Sequence, residues 1–490
     1  MNTQHQVRSG AGSVGGQAPG IDGLTYNDFA TSEIARALKV AAEAIGQRRY
    51  RPYPTRLVRI PKPSGRYREL RLATIVDRVI AKALQEAITP VLDPIFLPGV
   101  FGFRPGRSVW DMLLAIETTA IEQDRLVFAV DDVRDAFPSV PIADAMEDFR
   151  HHIGDSDVLW LLEAVLRGSE GQTHTTGVDQ GSAVGPVTMN LRLHHALDLP
   201  QSQDAATPGN PPWYRWADNL TFLCQGVYEG QSALQRAREL LQPAGFTLKG
   251  EDGPPSNLKR QGAGVQILGF RVSFGNGRLW YGLGRGDWRD LDQTLERAHK
   301  MPDPVQAAKA AVQGWLTAFG PAFESVEACA VLEGVQRVAA RNGFRELGKE
   351  AELAGWLQGS RQRWLTARGS ALRAEGHEGT AGGEGTAMAL EEHGGTACGA
   401  ASPAMALAAA GDSAGRSTGA QMPTDGAQSP VEGTSNSPWA PRTALQAALA
   451  TRSACQDRPP AAPAGEAGCP GDSSPGRPGS VGSAIPRCDR

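Results

Sequence analysis

The amino-acid sequence predicts a protein of the mixed α/β (α+β) class, because segments with helical and strand periodicity alternate along it. Residues 31–47 carry apolar side chains at helical spacing, which predicts an amphipathic helix. Residues 213–223 predict two short strands, since aromatic and β-branched residues flank the polar tip Ala217-Asp218-Asn219. Residues 126–130 are an apolar run of strand length, and Asp132 follows closely.

Two of these segments carry carboxylates that are candidates for one metal site. Asp218 stands on the predicted turn, where a side chain is displayed, and Asp132 follows a strand that we expect to be buried. Acids at such a position are costly unless they bind a cation or a partner. Taken alone, three Asp residues within residues 131–135 more often form a turn in which carboxylates cap backbone groups.

The most basic part of the chain is residues 48–82, which hold eleven Lys or Arg residues and two acids. Basic and strand-like apolar residues interleave there, which predicts a β-hairpin with a turn at residues 61–65 and a helix at residues 75–88. A solvated charged face is the alternative, but one-signed charge at this density favours contact with a polyanion. The candidates for holding a triphosphate or a phosphate backbone are Lys62, Arg68 and Arg71.

Two loops precede predicted helices. Residues 102–108 lead into a helix at residues 109–122, with Ser108 as the expected N-cap. Two arginines at this helix start favour phosphate binding, while a purely structural loop fits the pattern equally well. The second loop, residues 177–186, is rich in glycine and permits close backbone approach to a flat or polyanionic ligand, but it lacks the Lys-Ser/Thr pair of a Walker loop.

The remaining segments are assigned by periodicity alone. Apolar spacing predicts helices at residues 142–168, 187–197 and 230–242, and mostly helical structure over residues 286–366. Strand patterns occur at residues 245–249, 266–272 and 278–281, and the last two are expected to pair.

Residues 371–490 differ in composition from the rest of the chain. They hold eight basic and twelve acidic residues, one aromatic residue (Trp439), and mostly Gly, Ala, Ser, Pro and Thr. Such a segment lacks the apolar area needed to offset the entropy of ordering, so the sequence predicts a disordered tail.

Several classes of protein are disfavoured by simple features. No apolar run approaches the ~20 residues that cross a bilayer, and residues 1–20 lack the apolar core of a signal peptide. We therefore expect a cytoplasmic protein without a membrane partner. None of the six cysteines forms a Cys-x-x-Cys pair, which argues against a zinc module or a disulfide framework.

The order of these segments resembles a reverse transcriptase, of the bacterial group II intron-like and retron-like kinds. Eight short motifs carry the resemblance, and their order is more specific than any one of them. In chain order they are Gly20-Ile21-Asp22-Gly23, residues 60–68 with Asp77-Arg78, Phe101 to Ser108, Asp132 to Phe137, Gln180 to Pro186, Trp216 to Asn219, Leu268-Gly269-Phe270, and Gly314-Trp315.

The resemblance implies a right-hand polymerase whose antiparallel palm sheet packs on helices. The domains are then an N-terminal extension at residues 1–49, fingers at 50–125, a palm at 126–285, a helical thumb or maturase-like remnant at 286–368, and a low-complexity tail at 369–490. The implied activity is RNA-directed DNA synthesis, in which deoxynucleotides are added to a primer 3′-hydroxyl on an RNA template. The implied partners are an RNA template, a DNA or RNA primer, and a cognate intron or noncoding RNA.

The resemblance also implies roles for individual residues. Two Mg²⁺ ions, or Mn²⁺, would be held by Asp132 and Asp218, with the Val133 carbonyl and Asn219 as further ligands. Lys62 and Arg68, or Arg71, would hold the triphosphate, Gln180 would touch the nucleotide, and Phe137 would exclude a 2′-hydroxyl. Lys249 is a candidate proton donor to pyrophosphate. The implied template and primer contacts are Arg104, Arg107, Gly181, Leu268, Gly269 and Phe270.

Asn219 is the main departure from the family pattern, which has Asp-Asp where this chain has Asp218-Asn219. An amide brings one negative charge less to the metals, so the sequence allows a slow or Mn²⁺-preferring enzyme, a normal enzyme compensated by Asp131 or Asp135, or an inactive one. The alternative functions are therefore an RNA-binding maturase-like protein and a stand-alone host-defence reverse transcriptase.

Overall fold

A computed structural model describes residues 18–61, 67–203, 210–250, 253–324, 326–345, 347 and 350–378. Lys62 and residues 379–490, most of the predicted tail, lie outside the described residues, and so does the side chain of Arg68. Among the described helices, none combines the length and the apolar character required to cross a membrane.

The N-terminal elements agree with the sequence prediction. An amphipathic helix, α1, is followed by an antiparallel hairpin of β1 and β2 and then by two helices, α2 and α3. Their bounds are α1 Thr31–Gly46, β1 Arg56–Pro61, β2 Tyr67–Leu72, α2 Ile75–Leu92 and α3 Val109–Glu122. Ser108 caps α3 as expected, because its hydroxyl oxygen accepts a hydrogen bond from the Asp111 amide at 3.2 Å.

The central sheet has four antiparallel strands in the order β4-β5-β3-β6. The strands are β3 Val127–Asp132, β4 Trp213–Trp216, β5 Asn219–Cys224 and β6 Ser256–Asn257. The register of β3 against β5 places Asp132 directly opposite Asn219. The predicted hairpin, formed by β4 and β5, and the predicted strand that ends at Asp132, β3, are thus neighbours in one sheet.

Two hydrophobic cores lie on the two faces of this sheet. Val127 and Ala129 of β3 belong to one core, and Phe128 and Val130 belong to the other. This alternation is the period-2 pattern of a strand that is buried on both faces. The same alternation continues at the end of β3, so Asp132 shares a face with Val130, and the residue before it points to the opposite face.

Helices cover the first core, and two predictions need correction there. Residues 142–168, predicted as one helix, form two, since Asp155 accepts hydrogen bonds from two backbone amides and starts the second. The helix predicted to end at residue 197 becomes π-helical at residue 194. The bounds are α4 Ala136–Ser139, α5 Ile142–His152, α6 Ser156–Arg167, α7 Gly185–Leu193, the π-helix His194–Asp198, α8 Leu199–Gln203 and α9 Val227–Leu241.

A three-stranded antiparallel sheet, β7-β8-β9, packs with the second core. The prediction of one strand over residues 266–272 is wrong, because Leu268 and Gly269 adopt φ values of 49° and 89° and turn the chain between β7 and β8. The predicted strand at residues 245–249 forms an isolated bridge between Val133 and Leu248. The strands are β7 Val265–Ile267, β8 Phe270–Gly275 and β9 Arg278–Leu283.

Four helices complete the second core, as the periodicity of residues 286–366 predicts. They are α10 Arg285–Ala298, α11 Pro304–Ala318, α12 Ala328–Arg341 and α13 Glu350–Glu378. The last helix continues past residue 368, where the sequence predicts the tail to begin. The α+β class predicted from the sequence is confirmed, with antiparallel sheets packed on helices.

Candidate active site

The turn between β4 and β5 consists of two residues, Ala217 and Asp218, because Trp216 pairs directly with Asn219. Ala217 is buried and has a φ of 54°, in the left-handed region that alanine rarely adopts. This conformation reverses the chain within two residues. Asp218 therefore stands at the tip of the hairpin, as the sequence predicts.

The end of β3 meets this turn. The Asn219 amide Nδ2 donates a hydrogen bond of 2.7 Å to Asp132 Oδ1, and the Val133 amide donates one of 2.9 Å to the Asp218 carbonyl. The four residues expected to form the metal site are thereby brought together, although Asp132 and Asp218 are 86 positions apart in the sequence (218 − 132). Their arrangement follows directly from the antiparallel register of β3 and β5.

Lys249 also belongs to this site, in a position that the sequence does not reveal. Its ammonium Nζ lies 2.5 Å from Asp132 Oδ2, and its backbone amide donates 2.8 Å to the Asp132 carbonyl. The ion pair is partly buried, since a quarter of the Asp132 side chain and a third of the Lys249 side chain are exposed. Both carboxylate oxygens of Asp132 are therefore engaged, one by an amide and one by a cation.

The carboxylate of Asp131 points away from the turn that carries Asn219. Its buried carboxylate accepts hydrogen bonds from the Asp132 and Gly250 amides, each at 2.9 Å, and lies 3.4 Å from the Arg238 guanidinium. It thus faces α9 rather than the turn, as the strand alternation requires. The other candidate for compensation, Asp135, is exposed and lines a separate cleft described below.

The donor set at the turn fits a small, hard divalent ion. Asp132 and Asp218 offer carboxylate oxygens, and the Asn219 amide offers a neutral oxygen. That oxygen, Oδ1, is buried and has no hydrogen-bond partner within the described part of the chain. A buried acceptor without a donor is costly, and a cation is one of the few groups that would satisfy it.

A buried ion pair between Arg215 and Asp198 is hydrogen-bonded to the turn between β4 and β5. Arg215 is fully buried in β4, and its guanidinium binds both carboxylate oxygens of Asp198, at 3.0 and 2.5 Å. Its Nη1 also donates to Asn190 Oδ1 and to the Ala217 carbonyl, each at 2.9 Å. Burial raises the pKa of the Asp198 carboxyl, and the Arg215 charge opposes that shift. The network fixes the carbonyl of the strained turn residue.

This network is not evident from the sequence, although the sequence carries one signal of it. Arg215 stands between Tyr214 and Trp216 in a strand expected to pack against the core. A charged residue on a buried strand requires a buried partner. The partner could not be identified from the sequence, because Asp198 lies in a π-helical turn that periodicity does not predict.

The loop of residues 99–102 docks on the same hairpin through its backbone. The Phe101 amide donates to the Arg215 carbonyl, and the Arg215 amide donates to the Gly99 carbonyl, both at 2.9 Å. Asn190 Nδ2 donates 2.7 Å to the Gly102 carbonyl. A Cβ atom on Gly102 would lie 2.2 Å from the Ala217 amide nitrogen. Glycine at this position is therefore what allows the loop to touch the turn.

The structure favours a supporting role for the arginines of this loop. The buried guanidinium of Arg104 binds Asp93 at 2.8 Å and donates to backbone carbonyls of residues 93–100. Arg107 lies over the ring of Phe101, with its guanidinium carbon 4.9 Å from the ring centre. These contacts correspond to the structural alternative of the sequence analysis, and the template contacts of Arg104 and Arg107 stay predictions.

We expect Gly102→Ala to slow primer extension by about 10²-fold while the protein remains folded. The added methyl group collides with backbone atoms of the turn, and a displacement of a reacting group by about 1 Å has an effect of this size. Single-turnover extension rates and thermal unfolding would be measured together. Gly226→Ala is the matched control, because a Cβ there meets nothing within 4 Å. Equal rates for the two variants would contradict the docking role.

A second predicted group of residues lines a cleft of about 240 Å³ between β2 and the loop of residues 174–180. Arg71, Asp135 and Gln180 are among its lining residues. The Arg71 amide donates 3.3 Å to the Gln180 carbonyl, and the Arg71 guanidinium lies 3.6 Å from Asp179 and 3.7 Å from Glu170. Burial raises the pKa of the Asp179 carboxyl, while Arg71 opposes this shift.

Phe137 lies between this cleft and the loop of residues 102–108. Its ring is 6.1 Å from the ring of Phe103, edge to face, and a Cβ on Gly185 would lie 3.7 Å from it. The Phe137 carbonyl accepts the Val178 amide at 2.9 Å, which fixes the lining loop to α4. Gly181, at the outer end of the loop, is exposed and has a φ of 113°.

The predicted primer-contact segment is divided by the structure. Leu268 and Gly269 form the turn between β7 and β8 and are partly exposed, whereas Phe270 is buried with its ring 5.2 Å from that of Phe319. Behind the turn, burial raises the pKa of the Asp287 carboxyl to about 6. Leu268 and Gly269 are thus available for contact, and Phe270 anchors the turn in the core.

The part of the chain that matches a known protein family contains both the residues of the hairpin turn and those of the cleft. Residues 60–251 match the family described as reverse transcriptase, an RNA-dependent DNA polymerase. The match includes the hairpin turn, the end of β3, Lys249 and the lining of the cleft. Residues 60–251 are a reverse transcriptase domain. The resemblance of the domain to reverse transcriptases of the group II intron-like kind is thereby confirmed.

Two relatives are about a quarter identical to this chain over the residues that align. Protein YkfC of Escherichia coli strain K12 is 26% identical over 190 residues, which are 37% of this chain and 50% of that protein. The group II intron-encoded protein LtrA of Lactococcus lactis subsp. cremoris is 25% identical over 216 residues, 42% of this chain and 35% of that protein. The chain thus spans half or less of the length of these relatives.

One solved structure has a limited similarity to this chain. It is a telomerase from Candida albicans in complex with a fragment of telomeric RNA, with 8% identity and a TM-score of 0.37 over 68% of this chain and 67% of that chain.

Proposed function

We propose that the protein is an RNA-directed DNA polymerase that adds deoxynucleotides to a primer 3′-hydroxyl on an RNA template. One observation carries the proposal. Asp132 and the hairpin tip at Asp218 and Asn219 converge at one point within a reverse transcriptase domain. Reverse transcriptase domains generally depend on divalent metal ions, and this convergence supplies the oxygen ligands that such ions require.

In this proposal Asp132 and Asp218 hold Mg²⁺ or Mn²⁺, with Asn219 Oδ1 and the Val133 carbonyl as further ligands. The ions, when bound, activate the 3′-hydroxyl and neutralise charge on the departing pyrophosphate. The protein's own part is to hold the ligands in register through the β3–β5 pairing. The Arg215 network and the docked loop keep the turn from moving.

Lys249 and Asn219 set the metal requirement of this site. An ion must compete with the Lys249 ammonium for Asp132, and Asn219 contributes no charge to the competition. We therefore propose that extension needs high Mg²⁺ or proceeds better with Mn²⁺, which binds nitrogen and oxygen ligands more strongly. Once displaced from Asp132, Lys249 is placed to hold or donate a proton near the pyrophosphate.

The cleft beside β2 is the proposed site of the incoming nucleotide. Arg71, together with Lys62 and Arg68, supplies positive charge for the triphosphate. The Gln180 carbonyl accepts a hydrogen bond from the Arg71 amide of β2. The Phe137 carbonyl accepts one from Val178, in the loop that contains Gln180. In this arrangement the ring of Phe137 would exclude a 2′-hydroxyl and favour deoxynucleotides.

We expect Asp179→Asn to lower the KM for deoxynucleotides about two- to fivefold. Asp179 pairs with Arg71 at 3.6 Å, so its carboxylate competes with a triphosphate for the same guanidinium. The pair is partly exposed, and pairs of this kind are worth up to about 1 kcal/mol. Steady-state extension at varied deoxynucleotide concentration measures the change. Asp157→Asn, which breaks the exposed pair with Arg48 outside the cleft, is the matched control. An unchanged or raised KM would contradict competition at Arg71.

The function itself is tested by primer extension. Purified protein would be given a primed RNA template and deoxynucleotides, in Mg²⁺ and separately in Mn²⁺, and extended products would be resolved by length. We expect extension with at least one metal. No extension with either metal, in protein shown by circular dichroism to be folded, would overturn the proposal.

A second candidate is an RNA-binding, maturase-like protein whose polymerase site no longer turns over. The observation in its favour is that both oxygens of Asp132 are already engaged by protein groups. This candidate requires tight, salt-sensitive RNA binding that Asp132→Ala leaves intact, and no extension even after Asn219→Asp restores the missing carboxylate. The two candidates therefore differ in the outcome of that single substitution.

A further inference from the structure

A second cluster of ligand-type side chains lies where α5 contacts the end of α7. Asp148 and His151 come from α5, and His195 comes from the π-helix that follows α7. One ligand atom of each residue lies within 4.8 Å of the others. Asp148 is buried, His195 is half-buried and His151 is exposed, so the cluster is open to solvent on one side.

The positions of these residues are those of a helical metal site. Asp148 and His151 are three residues apart and share a face of α5. A carboxylate and an imidazole at this spacing, facing a further ligand on another helix, is how helical proteins surround a metal ion. His195 belongs to a π-helical turn, a feature that occurs frequently at functional sites and that interrupts the regular repeat of α7.

A neighbouring histidine holds His195 in place. His152 Nε2 lies 3.0 Å from His195 Nε2, and the two ring centres are 5.2 Å apart. A ligating histidine commonly uses its second nitrogen in a hydrogen bond that fixes the ring.

Arg192 is hydrogen-bonded to the Asp148 carboxylate, and this contact leaves acceptor positions for a cation. Its Nη1 donates to both carboxylate oxygens, at 3.0 and 2.7 Å. Each carboxylate oxygen has a second acceptor position. The charge of Arg192 is also shared with Asp144, whose carboxylate lies 3.7 Å away. Two carboxylates therefore face one guanidinium, and the local charge favours the addition of a cation.

We propose that Asp148, His151 and His195 bind one divalent transition-metal ion of the Zn²⁺ type, with water as the fourth ligand and His152 as a positioning residue. Two imidazoles select such an ion over Mg²⁺, which prefers oxygen ligands throughout. The ion would fasten α5 to α7. Because α7 begins at Gly185, where a Cβ would lie 3.7 Å from the ring of Phe137, the fastened helix is next to a residue of the proposed nucleotide site. This site is separate from the polymerase metals and adds to the proposed function.

Zinc content measured on variants tests the proposal. Full-length protein would be stripped with a chelator, dialysed against buffered Zn²⁺ and analysed by mass spectrometry for metal per chain, with thermal unfolding in parallel. Cys398, Cys455, Cys469, Cys488 and His393 can also bind Zn²⁺. The criterion is therefore the difference between wild type and variants. We expect His151→Gln, His195→Gln and Asp148→Asn each to lose one equivalent and to lose the Zn²⁺-dependent rise in Tm.

The controls separate this site from other metal sites. His299→Gln, whose ring stacks on Phe344 far along the chain, and Asp132→Ala should keep the equivalent. His152→Gln should retain it with affinity weakened about tenfold or more. Because His151 is exposed, His151→Gln is the variant least expected to disturb folding. Equal zinc content and equal Tm shift in wild type and His151→Gln would overturn the proposal, whatever the polymerase activity.

Discussion

Asp132→Ala is expected to reduce primer extension by about 10³-fold or more. Asp132 lies directly opposite Asn219 in the register of β3 and β5. The neutral amide of Asn219 cannot replace the negative charge of Asp132. Loss of a metal ligand removes several kcal/mol of charge stabilisation, and each 1.4 kcal/mol is about tenfold in rate. Extension would be measured under single-turnover conditions in Mg²⁺ and in Mn²⁺.

The control for this prediction is Asp124→Ala. Asp124 precedes the same strand and pairs with Lys259 at the surface, 2.7 Å away, so its loss tests for a general effect of removing an acid. RNA binding by both variants should equal that of wild type, because in the proposed site Asp132 would bind the ion rather than contact the phosphate backbone. Extension by Asp132→Ala at the wild-type rate would rule out the proposed metal site.

Asn219→Asp gives the same site an opposite test. We expect it to raise extension in Mg²⁺ about tenfold, since a third carboxylate would help the ion to compete with Lys249 for Asp132. Without added metal, the new carboxylate faces Asp132 where an amide donated at 2.7 Å. The like charges should therefore lower the Tm in chelator, and Mg²⁺ should restore it. A variant with unchanged extension and an unchanged Tm would contradict this account of Asn219.

Arg215→Met is expected to lower the free energy of unfolding by about 3–5 kcal/mol. The substitution leaves the fully buried Asp198 carboxylate without its guanidinium, and breaking a buried pair in this way carries a cost of this size. It also removes the donor that holds the Ala217 carbonyl, so extension should fall as well. Denaturant unfolding at neutral pH measures the stability.

Two further variants distinguish a buried pair from a general loss of charge. Arg48→Met breaks an exposed pair with Asp157 and should cost less than about 1 kcal/mol. Combining Arg215→Met with Asp198→Leu removes both buried charges and should recover part of the loss, because no unpaired carboxylate remains. If Arg215→Met and Arg48→Met were equally stable, the network would not hold the turn.

The local features of the fold could be predicted from the sequence. The helix at residues 109–122 and its Ser108 cap depend on neighbouring residues only, and so does the hairpin tip at Asp218. The strand-end positions of Asp132 and Asp218 predict that the two could share one site, and the resemblance to a known family supports this prediction. The structure gives it a physical cause in the β3–β5 register.

The features that could not be predicted from the sequence depend mostly on contacts between residues that are far apart in the chain. The Lys249–Asp132 pair depends on an isolated bridge at Val133 and Leu248, which places Lys249 beside the strand end. Periodicity predicts a longer strand there. The turn at Leu268 was missed because a leucine with a positive φ has no sequence signature. The histidine cluster unites residues of two helices, so no linear motif marks it.

The way in which β2 is attached to the cleft loop would affect how a nucleotide enters the proposed site. Arg71 contacts that loop through a long backbone hydrogen bond and a partly exposed ion pair with Asp179, and it forms a second partly exposed ion pair with Glu170. Such contacts are each worth about 1 kcal/mol or less, close to thermal energy. These contacts thus hold the Arg71 part of β2 to the loop only weakly. Access to the cleft would then be limited by diffusion of the nucleotide rather than by an opening step, and the Arg71 amide should exchange its hydrogen rapidly.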